Sequence, residues 1–237
     1  MALNEADAVT LQSLHLFKGL CDPSLPALIR SASVKHFSAR IGLFAEGERA
    51  TTLYTLLQGS IELFSEDHDR RSTIAVIRSI RPFVLASITD SINPMSARTL
   101  ARSDLLLVPL PVIHRLMDTD QAFARAIAYE LAGNLRDIIQ DFKSYRLRTS
   151  VERLAEWMVR SYEAAGGNGS FVIPHDKCTL ASYLGMEPES LSRNLAALGS
   201  AGVSVRGRQV CVNDPEALAL VVDGSGKHHQ RADPVAL

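Results

Sequence analysis

KCTLASYLGMEPESLSRNLAAL, Lys177 to Leu198, reads as two short helices joined by a tight turn. Leu180, Ala181 and Leu184 put an apolar stripe on the first. Gly185 ends it, where a residue without a Cβ is wanted. Pro188 suits the first turn of the second helix, and Leu191, Leu195 and Leu198 give that helix a buried face at helical spacing. Glu189, Ser192 and Arg193 are left on the opposite side. A carboxylate, a hydroxyl and a guanidinium on one exposed helix face form a set that reads base edges. Arg binds guanine O6 and N7, Glu accepts from cytosine N4, and Ser contacts either strand. The second helix of a helix-turn-helix carries such residues into the major groove. The plain alternative is a helical hairpin with a solvated Glu/Arg pair four residues apart.

The pattern LASYLGMEPESLSRNLAAL resembles the DNA-binding unit of the cyclic-AMP receptor protein/fumarate-nitrate regulator superfamily. Glu189, Ser192 and Arg193 match the E-x-x-S-R of its fumarate-nitrate branch. The match implies recognition of a TTGA-type half-site in palindromic double-stranded DNA. The resemblance also implies a homodimer and RNA polymerase as a partner.

Length and composition leave room for this. The 237 residues suffice for one large or two small domains, and 46% hydrophobic with 22% charged residues is ordinary for a globular protein. The formal net charge of −1 gives no global basic field, so a nucleic-acid reader needs local positive charge. Acidic residues slightly outnumber basic ones between Thr149 and Asp223, which counts against a charge-driven, nonspecific binder. Lys177, Thr179, Ser190 and Asn194 are candidate phosphate donors, and Arg206 and Arg208 flank a turn where guanidinium can meet the backbone. No apolar run reaches the roughly 18 residues of a membrane span, and MALNEADAVT lacks a signal-peptide layout. Cys21, Cys178 and Cys211 lie far apart, as in a reducing cytoplasm rather than a disulfide framework.

Upstream the period changes. Thr10 to Ser33 reads as short helices. Val34, Phe37, Ile41 to Phe44, Leu53 to Leu57, Ile61 to Phe64 and Ile74 to Ile77 are short β-type runs separated by turn signals, which suggests a sandwich or roll. LFAEGERATTLYTLLQGSIELF resembles the front half of a cyclic-nucleotide-binding jelly roll, with Gly47 and Gly59 at that family's turn glycines. Leu105 to Leu110 is the expected last strand, stopped by Pro111. Asp120 to Tyr145 is the longest helical pattern. Ala128, Leu131, Leu135, Ile138, Phe142 and Tyr145 alternate at spacings of 3 and 4, a heptad seam that needs a partner, with Asn134 and Gln140 off it as solvated positions. The helix packs either on its own roll or, as the resemblance implies, on a second copy in parallel. Thr149 or Ser150 caps the next helix, whose apolar face is Leu154, Trp157, Met158 and Tyr162. Val203 to Val212 is a hairpin, the wing, and Asp214-Pro215 opens a last short helix.

The fold expected is therefore α+β. A cyclic-nucleotide-binding-like jelly-roll sensor domain spans 10–118, a dimerisation helix 119–147, and a winged helix-turn-helix 148–223, with a disordered tail at 224–237.

The resemblance also frames the sensor. Members that bind cyclic AMP carry a Gly-Glu pair for the ribose and an Arg-Ser/Thr-Ala set for the phosphate. Aligned on Ser96-Ala97, the Arg position is Met95 and the Gly-Glu positions are Val84-Leu85. A thioether cannot pair with a phosphate, nor can Leu hydrogen-bond a ribose, which argues against cyclic AMP. Phe83, Leu85, Met95 and Arg98 are the candidate effector-pocket residues. An iron–sulfur cluster needs about four cysteines, which argues against that cofactor too. Haem is the remaining well-defined option, with His15 and His36 as candidate axial ligands among the histidines of this half, which include His68 and His114. Cys178 is read as a small buried residue or, in the alternative, a redox-sensitive one. No metal-spaced cluster and no catalytic motif is present, so the chain is not read as an enzyme. The competing class is a ligand-binding module with a degenerate DNA unit acting by protein contact.

Overall fold

The structure, a computed structural model, describes residues 14–224 apart from 15, 21, 22, 69, 79 and 91. In chain order its elements are α1 (Ser24–Ser31), β1 (Ser33–Phe37), β2 (Gly42–Phe44), β3 (Thr52–Gln58), β4 (Ile61–Asp67), β5 (Arg70–Ile77), β6 (Arg81–Phe83), α2 (Ser87–Asp90), β7 (Ser96–Thr99) and β8 (Ser103–Pro109). There follow α3 (Leu110–Thr119), α4 (Gln121–Leu147), α5 (Ser150–Ala164), β9 (Ser170–Val172), α6 (Lys177–Tyr183), α7 (Pro188–Ala197), a 3₁₀ turn at Leu198–Ala201, β10 (Val203–Arg206), β11 (Gln209–Val212) and α8 (Pro215–Val222). The fold is α+β, a β-rich N-terminal domain followed by a long helix and a C-terminal helix-turn-helix. It divides into two compact units at residues 138 and 139, inside α4. The tail beyond Gly224, read as disordered, lies outside the described residues.

The first unit is a roll of two antiparallel sheets, β1-β8-β3-β6 and β2-β7-β4-β5. The alternation of strand side chains gives the first sheet two apolar faces. Leu56 and Leu105 point into the roll with Ile61, Leu63 and Ala97 of the second sheet. Leu53, Leu106 and Val108 point the other way, onto Leu28 of α1, Ile113 and Leu116 of α3, and Phe123 and Ile127 of α4. Both turn glycines have positive φ, +78° at Gly47 and +105° at Gly59. At Gly59 the requirement is also steric, since a Cβ would fall 2.5 Å from the Arg102 carbonyl oxygen. One boundary differs from expectation. The last strand ends at Pro109, and Leu110 and Pro111 begin α3. Pro111 starts that helix rather than stopping the strand, because the first turn needs no N–H from it.

Helix α4 has two kinds of apolar face. Phe123 and Ile127 are buried on the roll. Further along, Leu135 is 57% exposed, Ile138 63% and Phe142 63%, with Leu131, Ile139 and Tyr145 exposed as well. Asn134 is not merely solvated: its side-chain oxygen accepts from Arg81 of β6, which also reaches Asp137 at 3.4 Å.

In the second unit, Thr149 caps α5 through a reciprocal capping box: Thr149 Oγ1 accepts from the Glu152 N–H at 3.4 Å, and Glu152 Oε2 accepts from the Thr149 N–H at 2.8 Å. Thr149→Ala is expected to cost about 1 kcal/mol of stability, seen as a lower urea midpoint at unchanged slope. The core joins Leu154, Ala155 and Met158 of α5 to Leu180 and Ala181 of α6, Leu191 and Leu195 of α7, Val203, Val210 and Val212 of the wing, and Leu218 of α8. The wing hairpin pairs Arg206 with Gln209, and β9 adds a third strand to it. Among the described residues, no helix is long and apolar enough to cross a membrane.

Candidate nucleic-acid interface and sensor core

Asp176 caps α6, its carboxylate accepting from the Thr179 N–H at 2.7 Å. The helix ends at Gly185, whose φ of +61° is the left-handed stop its position requires. Helix α7 then starts at Pro188 with Glu189 in its first turn. Leu191 and Leu195 are buried beneath it, while Glu189, Ser192 and Arg193 stand exposed on its outer side. Arg193 Nη2 donates to Ser190 Oγ at 3.0 Å, and Ser192 Oγ donates to the Pro188 carbonyl at 3.1 Å. These bonds are local to the helix, and all three side chains are exposed.

The candidate phosphate donors divide. Lys177 and Arg206 are exposed. Arg208 is exposed too, with Nε held by the Ile173 carbonyl at 2.7 Å. Thr179 is buried at 5% exposure, which removes it from any surface contact. Asn194 faces inward, its amide donating to Ser150 Oγ at 3.0 Å and to Met186 Sδ at 3.6 Å. It fastens α7 to α5. Cys178 is exposed on α6, not buried as its small apolar character suggested, and Cys211 is half-buried.

The roll interior is apolar where a nucleotide site would need charge. Phe44, Tyr54 and Phe83 form a ring cluster, with centroids 5.3 Å (Phe44–Tyr54), 5.8 Å (Tyr54–Phe83) and 6.4 Å (Phe44–Phe83) apart. Burial raises the Tyr54 phenol pKa above its ordinary value, as desolvation disfavours the phenolate. Met95 and Val84, like Phe44 and Tyr54, are half-buried against the hydrophobic core of the roll that Phe83 shares with Leu56, Ile61, Leu63, Ala97 and Leu105. Val84 holds the left-handed conformation, φ +57°, at the position aligned with the family's glycine. The turn survives the loss of glycine, at the steric cost of a β-branched residue there.

Two of the pocket candidates face elsewhere. Leu85 is buried on the helix side of the first sheet, not in the roll. Arg98 follows Ala97 on β7, and Ala97 faces inward, so Arg98 faces outward. There it forms an ion pair with Glu62, a carboxylate only 1% exposed that also accepts from Thr73 Oγ1 at 2.6 Å. It is therefore no substitute for the absent phosphate-binding arginine. His36, 65% exposed, lies on β1 with Nδ1 2.6 Å from Asp104 Oδ1. A ring in solvent and held by a carboxylate is not placed to be an axial haem ligand. His15 lies outside the described residues. Among the described residues, no group of three or more His, Cys, Asp or Glu is placed to hold a metal ion.

Sequence comparison extends these observations. The family model for the cyclic nucleotide-binding domain matches residues 34–120, and that for the Crp-like helix-turn-helix domain matches residues 152–221. Comparison with curated proteins returns no match. Among solved structures, FixK2 from Bradyrhizobium japonicum is 20% identical, with a TM-score of 0.72 over 79% of this chain and 96% of that one. A protein from Eubacterium rectale assigned to transcriptional regulators of the Crp/Fnr family is 17% identical, with a TM-score of 0.71 over 88% and 97%. The c-di-GMP responsive global regulator CLP from Xanthomonas campestris is 17% identical, with a TM-score of 0.68 over 80% and 97%. Likeness at these identities speaks for the fold. The two domain models, matched in this order on either side of a long helix, carry the assignment: the chain belongs to the cyclic-AMP receptor protein/fumarate-nitrate regulator family of transcription regulators.

Proposed function

We propose that the protein is a homodimeric, sequence-specific DNA-binding regulator, not an enzyme, that reads a TTGA-type palindrome with α7. The observation that carries this reading is the outward set Glu189, Ser192 and Arg193 on a helix whose other face is core. Lys177, Arg206 and Arg208 supply exposed positive charge beside it for the DNA backbone. The apolar stripe of α4 supports pairing of two chains, since Leu135, Ile138 and Phe142 are each more than half exposed in the single chain. Two copies of α7 then meet two half-sites. In a gel shift, the full-length protein is expected to retain a TTGA palindrome and to release DNA with both half-sites scrambled. Equal affinity for the two would favour the module that acts through protein contact.

The effector in this reading is apolar and not a cyclic nucleotide, as the Phe44, Tyr54, Phe83 and Met95 interior favours. Saturating cyclic AMP is expected to leave operator affinity unchanged and to give no heat on titration into the protein. Binding that sharpens the gel shift would overturn this part. Haem draws no support from His36 as it stands, and no step is assigned to it.

A further inference from the structure

The last carbonyls of a helix have no donors within it. In the helix-turn-helix, two carbonyls of the turn after α6 are met by one side chain from another helix. Arg153 of α5 donates from Nε to the Leu184 carbonyl at 3.0 Å and from Nη2 to the Gly185 carbonyl at 3.3 Å. Its Nη1 donates to the Arg148 carbonyl at 2.9 Å, immediately past the end of α4. The same guanidinium lies over the Tyr145 ring, 4.9 Å from its centroid. Tyr145 in turn sits on the turn itself, for a Cβ at Gly185 would fall 2.2 Å from its ring. The last turns of α4 are further tied to α5, by Ser144 Oγ donating to Glu156 Oε2 at 2.5 Å and by Arg148 Nε at 3.2 Å from the same carboxylate oxygen.

We propose that Arg153 and Tyr145 are positioning residues for DNA reading: they key the turn of the helix-turn-helix to the end of α4 and so fix the angle at which α7 is presented. This rests on the DNA reading above. A planar fork of donors can meet three carbonyls at once, whereas a lysine ammonium at the end of a flexible stem cannot hold them in one plane. A twofold reader needs its two recognition helices about 34 Å apart, one turn of DNA. A joint that lets α7 swing blurs that distance while leaving every base-reading side chain in place. The loss therefore appears in the spacing that the dimer prefers, which a residue serving stability alone does not set.

The test measures binding of the full-length protein to the TTGA palindrome and to the same palindrome lengthened by one base pair at its centre. Wild type is expected to prefer the first. Arg153→Gln, Arg153→Lys and Tyr145→Ala are each expected to lose about tenfold on the first and to narrow the preference between the two by at least about fivefold. Tyr145 is exposed, so its truncation leaves the core whole and covers the case in which an Arg153 variant folds poorly; because it also ends the apolar stripe of α4, the comparison is made at concentrations where sedimentation velocity shows the variant to be dimeric. A selective wild type whose folded variants keep both affinity and spacing preference overturns this proposal alone. A wild type indifferent to the palindrome overturns the DNA reading and this proposal with it.

Discussion

Arg193→Ala is expected to lower affinity for the palindromic operator by at least about 25-fold, with the fold and the dimer intact. A bidentate Arg–guanine pair contributes about 1–3 kcal/mol, and a twofold complex contains two. Together they amount to about 2–6 kcal/mol, at tenfold per 1.4 kcal/mol. The side chain is exposed, and among the described residues it bonds to Ser190 of the same helix, so its removal opens no cavity. Discrimination against scrambled half-sites should fall together with affinity. Lys177→Ala makes the contrast, for the loss of a phosphate contact weakens all sequences alike and lowers the salt slope by about 2, one for each copy. Unchanged affinity and selectivity for Arg193→Ala, measured by anisotropy at fixed salt, would remove α7 as the reading helix.

The second large effect concerns α4. The pair Leu135→Glu and Ile138→Glu is expected to yield a folded monomer with no measurable operator binding at micromolar protein. These side chains are 57% and 63% exposed in the single chain, so carboxylates there cost the monomer little. On a parallel seam the same four carboxylates are brought together in an apolar strip, where unpaired charge is expensive. Sedimentation velocity separates the outcomes, with far-ultraviolet circular dichroism to show retained helix. A variant that sediments as a dimer would place the pairing surface elsewhere. Loss of folding would mean that this stripe is covered by the chain's own roll.

The two predictions differ in how much of their basis lies in the sequence. The heptad of α4 and the leucines of α7 repeat at the helical period, and that period is a local property of the chain. The same holds for the Thr149 capping box, where cap and carboxylate are three residues apart. The family motif 189–193 lies within one helix and is legible for the same reason. The candidate phosphate donors fared less well. Thr179 and Asn194 carry the right groups, but each lies on the inward side of its helix, and hydrogen-bonding chemistry does not report which side that is. Cys178 errs the opposite way, a small residue left outside.

The sensor half shows the same division more sharply. That Met95 and Val84-Leu85 stand where an arginine and a Gly-Glu pair would bind a nucleotide is a statement about residue type, and the sequence made it alone. Which of the neighbouring residues faces inward was not legible. Side chains alternate across a strand, so a single step in register exchanges the faces. Only the pairing of Glu62 with Arg98 and of Leu63 with Ala97 shows Arg98 turned outward.

By itself, then, the chain determined its elements, their order and the chemistry that its recognition helix offers, because helical period, turn residues and caps act over a few neighbours. Tertiary structure alone decided the rest. Arg153 meets carbonyls 31 and 32 residues further along, and Arg81 meets Asn134 at a separation of 53. Contacts at such separations arise only after packing has brought distant segments together, and no local pattern records them.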